Sequence, residues 1–156
     1  SEMCIRDRSC ILAVPCGHLK LTEENGFITA CDWTEEAPFP AETALLKKAE
    51  KELEEYFKGK RKTFDLPVQP KGTAFEKDVW SVLEKIPYGH LMTYGEIAKE
   101  IGRPKASRAV GNACGKNPVC VIIPCHRVVG KNNDGGYSNG MKYKYALWKE
   151  EGIERK

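Results

Sequence analysis

The spacing of hydrophobic residues changes along the chain: it is first the alternation typical of β-strands and then the spacing typical of α-helices. Residues 18–22 alternate strictly, residues 24–26 have turn composition, and residues 27–33 again resemble a strand. This pattern predicts a β-hairpin, and the apolar residues 10–14 predict a short strand before it. Residues 42–57 then place their apolar side chains at helical spacing, which predicts an amphipathic helix.

The second half of the chain carries clear signals for the starts of helices. Thr73 with Glu76, and Thr93 with Glu96, have the form of capping boxes, in which a hydroxyl and a carboxylate satisfy exposed amides of the first turn. Apolar residues at helical spacing follow each pair, so we expect a helix to begin at both. Two prolines within residues 64–70 predict a linker between the two halves.

Residues 105–115 predict the second helix of a helix-turn-helix, because only a brief turn separates them from the helix that begins near Thr93. One face of this helix carries small residues and a single cation, namely Ser107, Arg108, Gly111, Asn112 and Gly115. A glycine inside a helix costs about 1 kcal/mol relative to alanine. Either another helix packs closely here, or an external partner approaches the backbone; arginine is a charged side chain that stacks on rings, so DNA is a sensible partner.

The segment after this helix presents a candidate nucleophile. Residues 119–123 have the length and β-branched content of a buried strand or extended segment, and Pro124 ends the run. Cys125 follows, with His126 and Arg127 beside it. A thiol next to two potential cations is suited to nucleophilic chemistry, although an unpaired cysteine is also commonly a small buried hydrophobe. The composition of the segment does not decide between the two.

Two further elements complete the chain. Residues 130–136 are rich in glycine and asparagine, which predicts a mobile loop, and residues 141–151 predict a last helix that uses Tyr145, Leu147 and Trp148 for packing. Glu151 stands near the end of this helix, where a carboxylate is unfavourable for the helix dipole. It is therefore either solvated or held by a partner.

Composition and charge narrow the class of protein. A chain of 156 residues forms one domain or two small ones, and no run approaches the roughly 18 apolar residues of a membrane span. The net charge of +3 is unevenly distributed: residues 1–70 carry 10 Lys and Arg against 13 Asp and Glu, and residues 71–156 carry 15 against 9. A basic second half permits a polyanionic partner. Residues 1–9 show no period and are expected to be an extension outside the fold, with no signal peptide.

The cysteines favour a reducing compartment. There are seven, an odd number, and no two have C-x-x-C spacing. A disulfide framework or zinc site is therefore poorly supported, and reduced thiols in a cytoplasm fit better. Cys10, Cys16 and His18 could contribute metal ligands, but their spacing matches no common pattern, so we expect no metal.

Seven motifs in order then resemble one family: residues 86–89 (IPYG), 93–98 (TYGEIA), 104–111 (PKASRAVG), 117–118 (NP), 123–129 (IPCHRVV), 136–138 (GYS) and Glu151. Together they resemble O6-methylguanine-DNA methyltransferases, densely over residues 72–152 and more loosely over residues 10–68. The resemblance implies an α+β protein. A small ribonuclease-H-like α/β domain would span residues 10–70, and a mainly helical, winged-helix-like DNA-binding and catalytic domain with a helix-turn-helix would span residues 71–156.

The resemblance also implies a reaction and its residues. Cys125 would take the alkyl group from O6 of guanine in one irreversible transfer without a cofactor, and O4 of thymine is a second candidate donor. His126 would remove the thiol proton through a water and would be oriented by Glu151, while Asn117 would brace the turn that holds the cysteine. Four further residues would contact the base: Tyr94 as a donor toward N3, Val128 through its carbonyl, as would that of Cys125, and Tyr137 and Ser138 around the ring.

Double-stranded DNA containing O6-alkylguanine is the partner that the resemblance implies, bound as a monomer through the minor groove. A base inside a duplex cannot reach a buried thiol, so it must be flipped out, and Arg108 would fill the vacated stack. Short side chains let the helix enter the narrow groove. The implied DNA-binding residues are Lys105, Ser107, Arg108, Ala109, Gly111 and Asn112.

Three other classes of protein remain as alternatives. An alkyltransferase-like protein that only binds damaged bases usually carries tryptophan in place of the cysteine. A thiol hydrolase would use Cys125 and His126 but would not explain the helix of Arg108, and a transcription regulator should carry longer base-reading side chains there.

Two residues depart from the usual pattern of the family: Cys114 stands where a larger apolar residue is more usual, and Asn139 stands where a glycine is more usual.

Overall fold

The structure, a computed structural model, describes residues 8–155. Within them the elements are β1 (Arg8–Val14), β2 (Gly17–Glu24), β3 (Phe27–Thr34), α1 (Ala44–Phe57), α2 (Ala74–Leu83), β4 (Met92–Thr93), α3 (Tyr94–Glu100), α4 (Ser107–Gly115), a 3-10 turn (Cys125–Arg127), β5 (Val128–Val129) and α5 (Met141–Glu151). The predicted α+β class is confirmed. No helix among these residues is long and apolar enough to cross a membrane.

The chain divides into two compact units. The first ends at Lys71 and also includes Pro118–Cys120, while the second comprises Gly72–Asn117 and the chain from Val121 onwards. No pattern in the sequence indicates that a segment from beyond residue 71 is part of the first unit.

A three-stranded antiparallel sheet and one helix form the first unit. The sheet has the order β1-β2-β3, and the predicted hairpin of β2 and β3 is confirmed. Arg8 and Ser9 belong to β1, so the extension expected over residues 1–9 is wrong for these two residues, because they pair with Glu23 and Thr22; residues 1–7 lie outside the described range. Helix α1 buries one stripe, consisting of Leu46, Ala49, Leu53 and Tyr56.

Two short segments pair with the outer edge of β3. The N–H of Ile28 donates to the carbonyl of Pro67 at 2.8 Å, and the N–H of Cys31 donates to that of Pro118 at 2.9 Å. The N–H of Cys120 returns a bond of 2.8 Å to the carbonyl of Cys31. Backbone groups along this edge are therefore satisfied by segments outside the hairpin.

Helices dominate the second unit, and their starts agree with the sequence. Both capping boxes form, since Thr73 and Thr93 each accept from a backbone N–H while Glu76 and Glu96 bond back. Helix α4 begins at Ser107, two residues later than expected, because Ala106 has non-helical dihedrals. Helices α3 and α4 pack together as a helix-turn-helix, and β4 pairs in parallel with β5.

The extended segment expected over residues 119–123 is only partly present. Val119 makes a single bridge to Cys31, and a turn follows at once because Val121 adopts a φ of 70°. A positive φ is unusual for a β-branched residue. The apolar composition of this segment therefore reflects its burial and not an extended strand.

Candidate active site

Cys125 is the last residue of an inverse γ-turn. Pro124 has φ −81° and ψ 67°, and the N–H of Cys125 donates to the carbonyl of Ile123 at 2.8 Å. The same carbonyl accepts a second bond of 2.8 Å from Nδ2 of Asn117, which is itself buried. Two donors thus fix Ile123, the first residue of the γ-turn, and Cys125, only 7% exposed, begins the 3-10 turn in a defined position.

Glu151 is the centre of a buried ionic network. Its side chain is fully buried, and both carboxylate oxygens accept from Arg127, at 2.8 Å from Nε and 2.9 Å from Nη2. The backbone N–H of Gly89 donates to Oε1 at 2.9 Å, and Nε2 of His126 lies 2.7 Å from Oε2. Of the two alternatives for Glu151, the structure therefore supports a partnered carboxylate. Arg127, which was not among the predicted site residues, also donates to the carbonyl of Ile86 at 2.7 Å.

The contact with Glu151 determines the tautomer of His126. Burial lowers the pKa of His126, although the carboxylate beside it acts in the opposite direction. A carboxylate only accepts, so the proton of the neutral ring is on Nε2 and Nδ1 is left as an acceptor. Nδ1 is buried and has no hydrogen-bond partner among the described residues. The ring is therefore arranged to receive a proton at Nδ1.

Lys144 is a second buried cation, and it was not among the predicted site residues. Its Nζ donates to three backbone carbonyls, those of Val128 at 2.7 Å, Asp134 at 2.6 Å and Gly136 at 3.0 Å. Burial lowers its pKa to about 8. The sequence of α5 does contain a signal for a buried lysine, because two charged residues share the helical spacing of the apolar ones. The buried residues of this helix are Tyr143, Lys144, Leu147, Trp148 and Glu151. Tyr145 is 45% exposed, and its ring still packs edge-on against Trp148 with 5.4 Å between the ring centres, while its hydroxyl donates to Asp134.

Tyr94 lies at the start of α3 against the glycines of the 130–136 loop. Its hydroxyl accepts from the N–H of Gly136 at 3.2 Å, which leaves the hydroxyl proton available for donation. Gly135 has φ 71°, and a Cβ there would overlap the hydroxyl of Tyr94. Only glycine fits at this position without a shift of the loop or the ring.

Three predicted base-contacting residues lie around this loop. The hydroxyl of Ser138 donates to the carbonyl of Gly115 at 2.5 Å, and Tyr137 beside it is half-buried. The carbonyl of Val128 accepts from Lys144 and retains a second lone pair. The loop itself, expected to be mobile, is tied by its carbonyls to Lys144 and to Arg155.

The predicted DNA-binding residues share one side of α4 and the turn before it. Arg108, Ala109, Asn112 and Lys105 are exposed, and Ser107 and Gly111 are partly exposed. A Cβ on Gly111 would lie 3.7 Å from the ring of Tyr94, an ordinary contact, so close packing does not demand a glycine there. Arg108 is exposed and makes no hydrogen bond or ion pair within residues 8–155, which leaves its guanidinium available to a partner.

Cys114, Cys10 and Cys16 are the other cysteines that the sequence singles out. Burial raises the pKa of Cys114 to about 12, and the thiol of Cys125 adds to the rise. Cys10, Cys16 and His18 do not come together as a metal-ligating group, and none was found within residues 8–155. Nδ1 of His18 instead lies 2.9 Å from the carbonyl of Glu36.

Comparisons with known proteins agree with this arrangement. Residues 10–70 match the ribonuclease-like domain of 6-O-methylguanine DNA methyltransferase, and residues 74–153 match its DNA binding domain. The crystal structure of the Mycobacterium tuberculosis O6-methylguanine methyltransferase superposes with a TM-score of 0.84 at 35% identity, covering 96% of each chain. A structure of the M. tuberculosis OGT in complex with DNA gives 0.82 at 37% identity over 91% of each.

Proteins with similar sequences belong to the same class as these similar structures. A methylated-DNA–protein-cysteine methyltransferase of Methanosarcina acetivorans is 50% identical over 77% of this chain and 74% of its own length. The protein of that name from Haemophilus influenzae is 40% identical over 89% and 83%. Fold and site thus define a two-domain DNA-binding protein with a ribonuclease-like first domain. The chain belongs to the 6-O-methylguanine DNA methyltransferase family, and the predicted fold and family are confirmed.

Proposed function

We propose that this protein repairs DNA by direct reversal, moving an alkyl group from O6 of guanine to the thiol of Cys125 in a single turnover. The observation that carries the proposal is the state of His126 beside Cys125. Glu151 holds the ring as the neutral tautomer with Nδ1 as an acceptor, in a buried site where a proton from the thiol can be received.

The transfer proceeds as a displacement at the alkyl carbon. A water passes the thiol proton to Nδ1 of His126, since adjacent side chains diverge and a direct contact is unfavourable. The thiolate forms the S–C bond while the C–O6 bond breaks and its electron pair passes to the guanine. Tyr94 donates its hydroxyl proton toward N3 and so stabilises the leaving base. The protein is left as an S-alkylcysteine, so it acts once.

The γ-turn and the loop place the reacting groups. Asn117 holds the carbonyl of Ile123, and thereby the backbone that leads into Cys125. The carbonyls of Cys125 and Val128 accept from the exocyclic amine of the base, and Tyr137 and Ser138 frame its ring. A displacement of about 1 Å can cost about 100-fold in rate, so these anchors matter although they do not react.

DNA binds through the exposed side of α4. Arg108 enters the stack that the flipped base vacates, while Ser107, Ala109, Gly111 and Asn112 allow the helix to approach the floor of the minor groove, and Lys105 contacts phosphate. Binding is independent of sequence and weakens with salt. We propose a monomer that acts in the cytoplasm, where its thiols stay reduced.

Mass analysis after incubation with DNA containing O6-methylguanine tests this function. We expect one methyl group per protein, on the peptide that carries Cys125. The C125A variant should accept none yet still bind the DNA, and C114A, which removes the neighbouring thiol, should accept the methyl as the wild type does. Transfer to C125A, or a methyl on Cys114 in the wild type, would refute the assignment, and binding without any transfer would identify an alkyltransferase-like binder.

A further inference from the structure

The environment of Lys144 is unusual for a lysine. Its side chain is 0% exposed in the middle of α5, and its Nζ lies 5.8 Å from the ring centre of Trp148. An ammonium has three N–H donors, and here all three are matched by the carbonyls of Val128, Asp134 and Gly136. A neutral amine has only two donors, so the three carbonyl acceptors around Nζ match the charged form of the side chain.

The three carbonyls come from two pieces of chain that are both close to the reacting groups. Val128 follows the 3-10 turn that begins at Cys125, whereas Asp134 and Gly136 belong to the loop before Tyr137. Gly136 also donates its N–H to the hydroxyl of Tyr94. One ammonium therefore connects the strand next to the nucleophile with the loop that touches Tyr94.

Arg155 holds the beginning of the same loop. Its guanidinium donates to the carbonyls of Gly130 at 2.8 Å and Lys131 at 3.0 Å, and also to that of Asn133. Arg155 is partly exposed, so its bonds compete with water, whereas the side chain of Lys144 is 0% exposed. The hydrogen bonds of Lys144 therefore hold this loop more firmly than those of Arg155.

We propose that Lys144 is a positioning residue for the transfer: its ammonium draws together the carbonyls of Val128, Asp134 and Gly136, and so fixes the pocket that presents the alkylated base to Cys125. This inference rests on the proposed function. Lys144 touches neither the base nor the alkyl group. It acts by holding the carbonyl of Val128 and the hydroxyl of Tyr94 at the separation that a purine requires.

The charged groups around Lys144 give this role a pH dependence. Burial and the charge of Arg155 lower its pKa, which is about 8, while Cys125, Cys114 and Asp134 raise it. His126 also feels this cation, which lowers its pKa. Because the pKa of Lys144 is about 8, the amine is mostly charged at pH 7; the lowered value means that the ammonium is lost as the pH rises through about 8, well below the usual range for lysine. One of the three carbonyls then loses its donor.

Two rates measured at each pH separate positioning from thiol reactivity. The first is transfer from the free base O6-methylguanine, which needs the pocket, and the second is alkylation of Cys125 by iodoacetamide, which does not. Both are followed on the Cys125 peptide by mass spectrometry. The variants are K144M, which removes charge and donors, and K144Q, which keeps two donors and serves if K144M does not fold; K149M, at an exposed position of the same helix, is the control.

We expect the ratio of transfer to iodoacetamide reaction at pH 7 to fall by about 10-fold or more in K144M, less in K144Q, and not in K149M. In the wild type the ratio should decline above pH 8, and in K144M it should be low and flat. An unchanged ratio in both Lys144 variants, or a wild-type ratio that follows that of K144M with pH, overturns the proposal. Failure of the proposed function is distinct, because the wild type itself would then accept no methyl from DNA.

Discussion

Replacing Gly135 with alanine tests whether the loop and Tyr94 must lie as close as the structure shows. Gly135 has φ 71°, and an alanine Cβ there would overlap the hydroxyl of Tyr94 and lie 3.0 Å from its Cζ. The left-handed conformation alone costs about 1–2 kcal/mol for a residue with a Cβ. Relieving an overlap in a packed site adds about 1–3 kcal/mol. The expected total is about 2–5 kcal/mol.

Gly102 provides a matched control for the backbone term. Its φ is 76°, close to that of Gly135, but a Cβ there would meet nothing within 4 Å. G102A should therefore lose only about 1–2 kcal/mol of unfolding free energy. The difference between the two variants isolates the contact with Tyr94.

The two variants should also differ in their rate of alkyl transfer, and by a large factor. To relieve the overlap, Tyr94 or the loop must move by about 1 Å, and a displacement of this size can cost about 100-fold in rate. Unfolding in urea gives the free energies, and transfer from the free base to Cys125 gives the rate without DNA binding. G135A should be slow and G102A normal. Equal stability and equal rates in the two variants would refute the packing argument.

Three further predictions concern other parts of the site. R108A should slow repair in duplex DNA far more than transfer from the free base, and equal slowing of both would rule out a role in base flipping. E151A should lose about 3–5 kcal/mol of unfolding free energy, because Arg127 would be left buried without its counter-ion; R127M/E151Q, which removes both charges, should recover much of this in denaturant titrations. N117A removes one donor to the carbonyl of Ile123 and should cost about 1–3 kcal/mol; a variant as stable as the wild type would show that Asn117 does not brace the turn.

Local signals in the sequence were reliable where the interaction itself is local. Thr73 and Thr93 each meet a glutamate three residues later, so their capping boxes could be read from spacing alone. The β2–β3 hairpin follows from alternation around a turn for the same reason. The last helix also agrees with its predicted bounds.

The features that were missed depend on contacts between distant parts of the chain. The charge of Arg127 is compensated by Glu151, 24 residues away, and its Nη1 reaches the carbonyl of Ile86. The spacing of Lys144 within α5 indicates that it is buried, but its partners are carbonyls 8 to 16 residues earlier in the chain, which no local pattern indicates. The turn at Val121 was hidden because apolar, β-branched residues favour strands, whereas this chain reverses there at a positive φ.

The pairing of Pro118–Cys120 with Cys31 has a consequence for how the gene can be divided. A fragment that stops at Lys71 would carry the whole β-meander and α1, yet Cys31 would lose the partners of both its N–H and its carbonyl. An open strand edge of this kind is a template for pairing with other chains. The first unit is therefore not a transferable module: excised at the boundary that its sequence suggests, it would tend to self-associate.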